Sequence, residues 1–259
     1  MKQFISTTMP DKDGLLHICG SYYHYFVHVL RYKTGDTFTG GLPDGSKISL
    51  YIKNITQDTL VVQICSQKYA AESEPSCKIS LFQSLPKGEK LDLIVRQATE
   101  VGVCKIYPFV SEHSLPRNIA EINKRLPRLQ RIINAAREQS GSVVDTKIYP
   151  AATFGKILEN WRGIQLAEPL SLGILLYEAA ENTSGFHDLL SGDINHVAIA
   201  IGPEGGFSEK EAAAFIESGF KPIKIRGNIL RTETAALYAE AIVKTLFMER
   251  EWTKTRMKN

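Results

Sequence analysis

From Lys78 onward, short strand-like apolar runs alternate with longer helical ones, the signature of a parallel α/β sheet with helices packed on its faces. Strands are predicted at 79–85, 103–110, 172–177, 197–201 and 222–225. Helices are predicted at 90–101, 127–139, 154–161, 208–218 and 232–251. Gly102 and Gly219 fall just past two of these helices, where a left-handed cap favours glycine. Pro127 suits a first helical position, so the basic segment around it should be two helices rather than one.

The first part of the chain reads differently. Up to about residue 66, apolar runs are separated by the turn sequences Lys33-Thr34-Gly35-Asp36 and Leu42-Pro43-Asp44-Gly45-Ser46. Residues 48–52 alternate as a half-buried strand does, 60–64 read as another strand, and one helix is expected over 22–30. These pieces suggest a small β-barrel. Between Ser66 and Cys77 the periodicity gives way to small and charged residues, which reads as a linker. Two domains are therefore expected, 1–70 and 71–259, which 259 residues of ordinary globular composition can supply.

No apolar run approaches the ~20 residues of a membrane span, and the start, Met1-Lys2-Gln3-Phe4, lacks the apolar stretch of a signal peptide. A cytoplasmic protein with no membrane partner is expected. Cys19, Cys65, Cys77 and Cys104 are scattered singly without ligand spacing, so reduced structural thiols and no metal are expected. The net charge of +3 permits a nucleic-acid partner without demanding one. Locally, Arg117, Lys124, Arg125, Arg128, Arg131 and Arg137 face one acid, Glu121, and 250–258 form a second basic segment. Each reads equally as a solvated surface or, for the tail, as a frayed end.

The chemistry concentrates in two loops. In Ile201-Gly202-Pro203-Glu204-Gly205-Gly206-Phe207 a glycine-rich turn leaves a buried strand and enters a helix opened by Ser208 and Glu211, a capping box. That places it at the carboxyl edge of the sheet, where open α/β folds bind ligands. Neither phosphate-loop pattern is present, and Glu204 would repel a pyrophosphate, so a cationic, phosphate-free ligand fits better. Taken alone, the segment could also be a tight turn with no ligand. Further on, Ile225-Arg226-Gly227-Asn228-Ile229-Leu230-Arg231-Thr232-Glu233-Thr234-Ala235 makes a second strand-loop-helix passage at the same edge, with Thr232 as the expected helix cap. Arg231 and Glu233 could instead simply pair with neighbouring charges.

The motifs IGPEGGF at 201–207 and ILRTETA at 229–235 closely resemble those of the RsmE family of ribosomal RNA uridine-N3 methyltransferases. The likeness continues through Lys87-Gly88-Glu89-Lys90, through 97–103, through Ala136-Arg137-Glu138-Gln139-Ser140, and through Val29-Leu30-Arg31 with Gly35-Asp36. It covers nearly the whole chain.

The resemblance implies a PUA-like barrel joined to a SPOUT domain, an α/β sheet whose C-terminal segment threads a trefoil knot. It also implies a homodimer acting on 16S rRNA of the small ribosomal subunit, with S-adenosylmethionine as cofactor. Carried over by position, the cofactor walls are Leu175, Leu176 and Tyr177; Ile201, Gly202, Pro203, Glu204, Gly205 and Gly206; and Ile225, Arg226, Gly227, Asn228, Ile229 and Leu230. The family has Leu-Gly where this chain has Ile225-Arg226. Main-chain contact to an adenine would tolerate Arg226, whereas a glycine-dependent approach would require different local geometry.

Uracil N3 is protonated at neutral pH, so its methylation needs a group to take the proton or to stabilise the resulting anion. Arg231, always charged and rich in donors, is assigned to the anion. Glu233 is assigned to the base, directly or through a water, or else to holding Arg231. Arg31, Arg137 and Gln139 are expected to contact RNA. The competing readings are a ribose 2′-O-methyltransferase of the same class and a non-catalytic ribosome assembly factor.

Overall fold

The computed structural model describes residues 4–43, 46–68, 77–115, 117–142, 144–180 and 184–256. The chain divides into two compact units, Met1–Glu74 with Arg137–Asp145, and Pro75–Ala136 with Thr146–Asn259.

The first unit carries β1 (Phe4–Ile5), β2 (Leu15–Cys19), β3 (Thr37–Gly41), β4 (Lys47–Ile55) and β5 (Thr59–Lys68). They form a five-stranded sheet in the order β1-β3-β4-β5-β2. β1 runs parallel to β3, and the other pairings are antiparallel. The alternation expected at 48–52 is present: Ile48, Leu50 and Ile52 are buried, and Tyr51 is exposed. Together with Phe4, Phe26, Phe38, Leu60 and Val62 they make this unit's core. The helix expected over 22–30 starts earlier, as α1 (Gly20–His24), and its second half widens into a π-turn at Tyr25–Val29. The linker expected from Ser66 begins later, because β5 continues to Lys68. The rest of it, and the turn residues Asp44 and Gly45, lie outside the described residues.

The second unit runs β6 (Lys78–Ser84), α2 (Lys90–Val101), β7 (Lys105–Val110), α3 (Ile119–Asn123), α4 (Leu126–Ser140), β8 (Lys147–Ile148), β9 (Ala152–Thr153), α5 (Phe154–Ala167), β10 (Ser171–Leu176), α6 (Phe186–Leu189), β11 (His196–Ile201), α7 (Glu209–Glu217), β12 (Phe220–Ile223) and α8 (Thr232–Arg256). Seven strands form one sheet in the order β12-β10-β11-β6-β7-β8, with β9 also on β7. Every pairing is parallel. A parallel sheet needs cover on both faces, and β11 shows how this is met. Its residues alternate between two cores: Val197, Ile199 and Ile201 pack with α2 and α8 residues, and Ala198 and Ala200 pack with α5 and α7 residues.

Several predicted boundaries move. β12 was expected at 222–225 but occupies Phe220–Ile223. Phe220 anchors it, with its ring 4.9 Å from that of Trp161 and 4.8 Å from that of Phe215, and the strand stops where its partner β10 ends at Leu176. Ile225 is therefore a loop residue. α5 continues past 161 to bury Ile164, and α8 runs on to Arg256. Pro127 is the second residue of α4, not the first, and the basic segment is indeed two helices, α3 and α4. Gly102 caps α2 with φ 93°, and Gly219 follows α7 with φ 94°. The four cysteines are free, and burial pushes the Cys77 thiol up to about 12. Among the described residues no helix is long and apolar enough to cross a membrane, and no group of three or more His, Cys, Asp or Glu could hold a metal ion.

Glu240 of α8 is wholly buried, and neither of its carboxylate oxygens has a hydrogen-bond partner among the described residues. Burial holds this carboxyl well above the usual carboxylate range. The folded chain therefore keeps it neutral, while the unfolded chain ionises it at pH ~4.3. Its contribution to stability is present below that pH and lost as pH rises toward the folded value. The uncharged variant E240Q should raise the Tm more at about pH 8 than at about pH 4. Equal shifts at both would contradict a neutral buried carboxyl.

Candidate functional site

Three neighbouring parallel strands, β12, β10 and β11, end on the same edge of the sheet. They deliver the segments after residues 223, 176 and 201 side by side, and the Tyr177 amide donates to the Ile223 carbonyl at 3.1 Å. Leu175 is buried beneath this edge, and Leu176 and Tyr177 are half-buried at it.

Loop 202–207 is shaped by its glycines. A Cβ on Gly202 would lie 3.2 Å from the backbone of Gly206, so with any larger residue the fold-back would have to open by a few tenths of an ångström. The Gly206 amide closes the turn on the Pro203 carbonyl at 2.9 Å, and Gly206 stands at φ 68°. Phe207, buried, anchors the exit by stacking on Phe109. α7 then opens with the expected capping box: Ser208 Oγ accepts from the Glu211 amide, and Glu211 accepts from the Ser208 amide. Glu211 has a second use, since its Oε1 accepts from the Glu112 amide at 2.8 Å and joins the loop after β7 to the helix.

The two glycine-bearing loops are tied together by Thr232 and Lys90. Thr232 is the first residue of α8, not its cap: the Arg231 carbonyl already accepts the Ala235 amide. The Thr232 hydroxyl instead donates to the Gly202 carbonyl at 2.7 Å and accepts from Gln83 Nε2 at 3.1 Å. Lys90, at the start of α2, lies between Glu204 of one loop and Glu233 of the other, at 2.8 and 3.4 Å. Burial works against ionising Glu204, but hydrogen bonds from Lys90 and from the Lys87 amide outweigh it and lower its pKa. Lys90 is correspondingly raised, first by its hydrogen bond to Glu204. Glu204 is thus committed to Lys90 and is not the free carboxylate expected to favour a cationic ligand.

The exposed stretch Arg226, Gly227, Asn228 and Ile229 leads to half-buried Leu230. The positive φ falls on Gly227, at 106°, so Arg226 needs no glycine-only backbone. Arg231 is exposed and enters no ion pair among the described residues, and Glu233 faces Lys90 rather than Arg231. Arg31, in the first unit, is exposed and is the one described non-glycine residue with positive φ, 57°. Arg137 is largely enclosed and paired with Asp145 at 3.0 Å, and Gln139 is exposed.

Much of the basic cluster is already neutralised by acids distant in sequence. Arg125 and Arg128 both reach Asp92 at 2.7 Å, and Arg117 donates to the carbonyls of Ser114 and Glu112. Lys124 and Arg131 stay exposed without an ion pair among the described residues. In the tail, Arg250 is not frayed: it donates to the Gly192 and Ile194 carbonyls and lies over the Phe247 ring.

At the opposite edge of the sheet Ser80 Oγ and His196 Nε2 are 2.8 Å apart, with Glu168 at 3.5 Å from His196 Nδ1. The order of groups resembles a nucleophile, base and acid, but Ser80 and His196 are both wholly buried, so no substrate reaches them.

A family model described as an RNA methyltransferase domain matches residues 72–244. Ribosomal RNA small subunit methyltransferase E 2 of Borreliella burgdorferi is 30% identical over 227 residues, covering 86% of this chain and 88% of its own. The chain belongs to the ribosomal RNA small subunit methyltransferase E family. The Bacillus subtilis member is 26% identical, covering 92% of this chain and 93% of its own. A solved methyltransferase structure from Legionella pneumophila with the cofactor SAM bound superimposes with a TM-score of 0.72 at 25% identity, covering 94% of this chain and 96% of its own. The Neisseria gonorrhoeae family member, at 24% identity and TM-score 0.78, shares the fold over 95% of this chain and 98% of its own.

Replacing Thr232 by Val removes the hydroxyl that serves Gly202 and Gln83, leaving a buried donor and an acceptor unpaired. T232V should cost about 1–3 kcal/mol in chemical denaturation. A loss below about 0.5 kcal/mol would mean that the tie between the loops contributes little.

Proposed function

We propose that the chain is a methyltransferase that carries the methyl group of S-adenosylmethionine to N3 of a uridine in 16S rRNA of the small ribosomal subunit. Family membership supplies the reaction class. The observation that carries the assignment of the site is the joining of loops 202–207 and 224–231 by Thr232 and Lys90.

The residues at this edge fit such a cofactor. Gly205 and Gly206 are exposed and without side chains, and Leu176, Tyr177, Ile229 and Leu230 add apolar surface suited to an adenine ring. The site thus offers main chain and hydrocarbon rather than a phosphate cradle. Ile201, Gly202 and Pro203, with Ile225 to Leu230, complete the proposed walls. S-adenosylmethionine, when bound, supplies an electrophilic methyl group on a sulfonium.

The chain's own residues act on the base. Arg231, exposed and without an ion pair among the described residues, stabilises the uracil anion spread over O2 and O4. Glu233 accepts the N3 proton, directly or through a water, and Lys90 holds that carboxylate in place. Arg31, Arg137 and Gln139 meet the RNA. The domain at 1–70 is read as a PUA-like barrel that positions RNA through phosphate contacts, which orient without specifying sequence.

The domain at 71–259 is read as a knotted SPOUT domain. The path of the chain supports the knot: β12 lies on the sheet's edge, yet α8 returns to pack against β11, β6 and α2, so 224–231 is drawn back across the sheet. A cytoplasmic homodimer completes the reading. Its support is the exposed series Tyr238, Ala241, Thr245, Met248 and Trp252, whose 3-4 spacing makes a seam along α8 suited to a second copy.

Labelled methyl donor, offered to assembled small subunits and to naked 16S rRNA, should mark one uridine that stops reverse transcriptase. A label on a ribose hydroxyl, which ordinary primer extension passes, would contradict the N3 assignment. R231A should lower methyl transfer by about 100-fold or more, the scale of losing one charge-stabilising group, while binding S-adenosylmethionine normally. Loss of cofactor binding would move Arg231 into the cofactor site.

A further inference from the structure

We propose that His113 is a positioning residue for the methyl-donor site. Its ring holds the last two peptide groups of loop 202–207 in the orientation that the ligand meets. The inference rests on the reading of that loop as part of the donor site.

His113 Nδ1 lies 3.0 Å from the Gly205 carbonyl oxygen and 3.2 Å from that of Gly206. Carbonyls only accept, so Nδ1 carries the hydrogen and one N–H serves both oxygens. Consecutive carbonyls of an extended chain point to opposite sides. They converge here on one nitrogen because Gly206, between them, is turned to φ 68°. In a trans peptide the N–H points away from the C=O. Fixing two carbonyls therefore also fixes the direction of the Phe207 amide and reinforces that of the Gly206 amide, which the Pro203 carbonyl already accepts.

The ring can do this because its own loop is held rigidly. Ser84, Ser111 and Ser114 form a triangle of buried hydroxyls with edges of 2.6, 2.9 and 3.1 Å. The Ser111 amide donates to Ser114 Oγ, the Glu112 amide to Glu211, and Arg117 to the carbonyls of Glu112 and Ser114. The peptides on both sides of His113 are thus anchored in the protein, while His113 itself is exposed. Its approach is close: a Cβ on Gly205 would come 3.0 Å from His113 Cβ. An exposed imidazole contributes little to folding stability through such bonds, so their effect falls on the shape of the loop.

The test is calorimetric binding of S-adenosylmethionine to the full chain, with steady-state kinetics. H113A should weaken binding about three- to tenfold, the scale of one neutral hydrogen bond, with the loss in KM for the donor rather than in kcat. H113N, whose amide nitrogen occupies the δ position, should restore most of the affinity, and H113Q, whose nitrogen lies at ε, should not. G202A serves as the control, because its Cβ would come 3.2 Å from the Gly206 backbone and displace it, which should weaken donor binding. If G202A weakens binding and H113A binds as the unaltered chain does, the role of His113 is overturned. Equal losses in H113N and H113Q, with a lowered Tm, would reduce it to a structural residue. Unchanged binding in G202A would instead overturn the reading of the loop as the donor site.

Discussion

The hydroxyl of Thr232 joins two parts of the chain that the sheet alone would leave independent. It donates to the carbonyl of Gly202, at the end of the central strand β11, and accepts from Gln83, near the end of β6. Thr232 also begins α8, so the same residue fixes where the longest helix starts and where the glycine loop sits. With Lys90 set between Glu204 and Glu233, a polar tie and an ionic one hold the two loops in one arrangement. The remaining features of the site follow from that arrangement. Arg231 is left exposed one residue before the tie, and the glycines are left with open backbone.

The α/β unit was legible because its burial is periodic. Runs such as 197–201 are apolar throughout, as a strand covered on both faces must be, and the helices carried their own stop signals at Gly102 and Gly219. Boundaries slipped where tertiary packing outweighed local pattern. Phe220 reads as the residue after a helix cap, yet its ring fills a gap between Trp161 and Phe215, and that draws β12 two residues toward the N-terminus.

The site was legible in part, and for two different reasons. The glycine loop and the passage at 225–230 could be placed at one edge from their strand-loop-helix pattern and turn chemistry alone. The partners of their charged groups could not, because ion pairs join residues far apart in sequence. Lys90 lies more than a hundred residues from both Glu204 and Glu233, and nothing local marks it as their counter-ion. The basic cluster misled for the same reason: Asp92 and Asp145 neutralise arginines that look unopposed when only neighbouring positions are counted. Arg226, which departs from the family's glycine, needs no glycine-only backbone, because the left-handed turn falls on Gly227.

The central claim is that three segments, after β10, β11 and β12, form one site for the methyl donor. Hydrogen–deuterium exchange with and without S-adenosylmethionine tests it directly. Amides within 176–180, 202–207 and 224–231 should gain protection together, at the same ligand concentration, while the sheet's opposite edge around His196 stays unchanged. Protection confined to one of these segments, or centred elsewhere in the chain, would contradict a shared site.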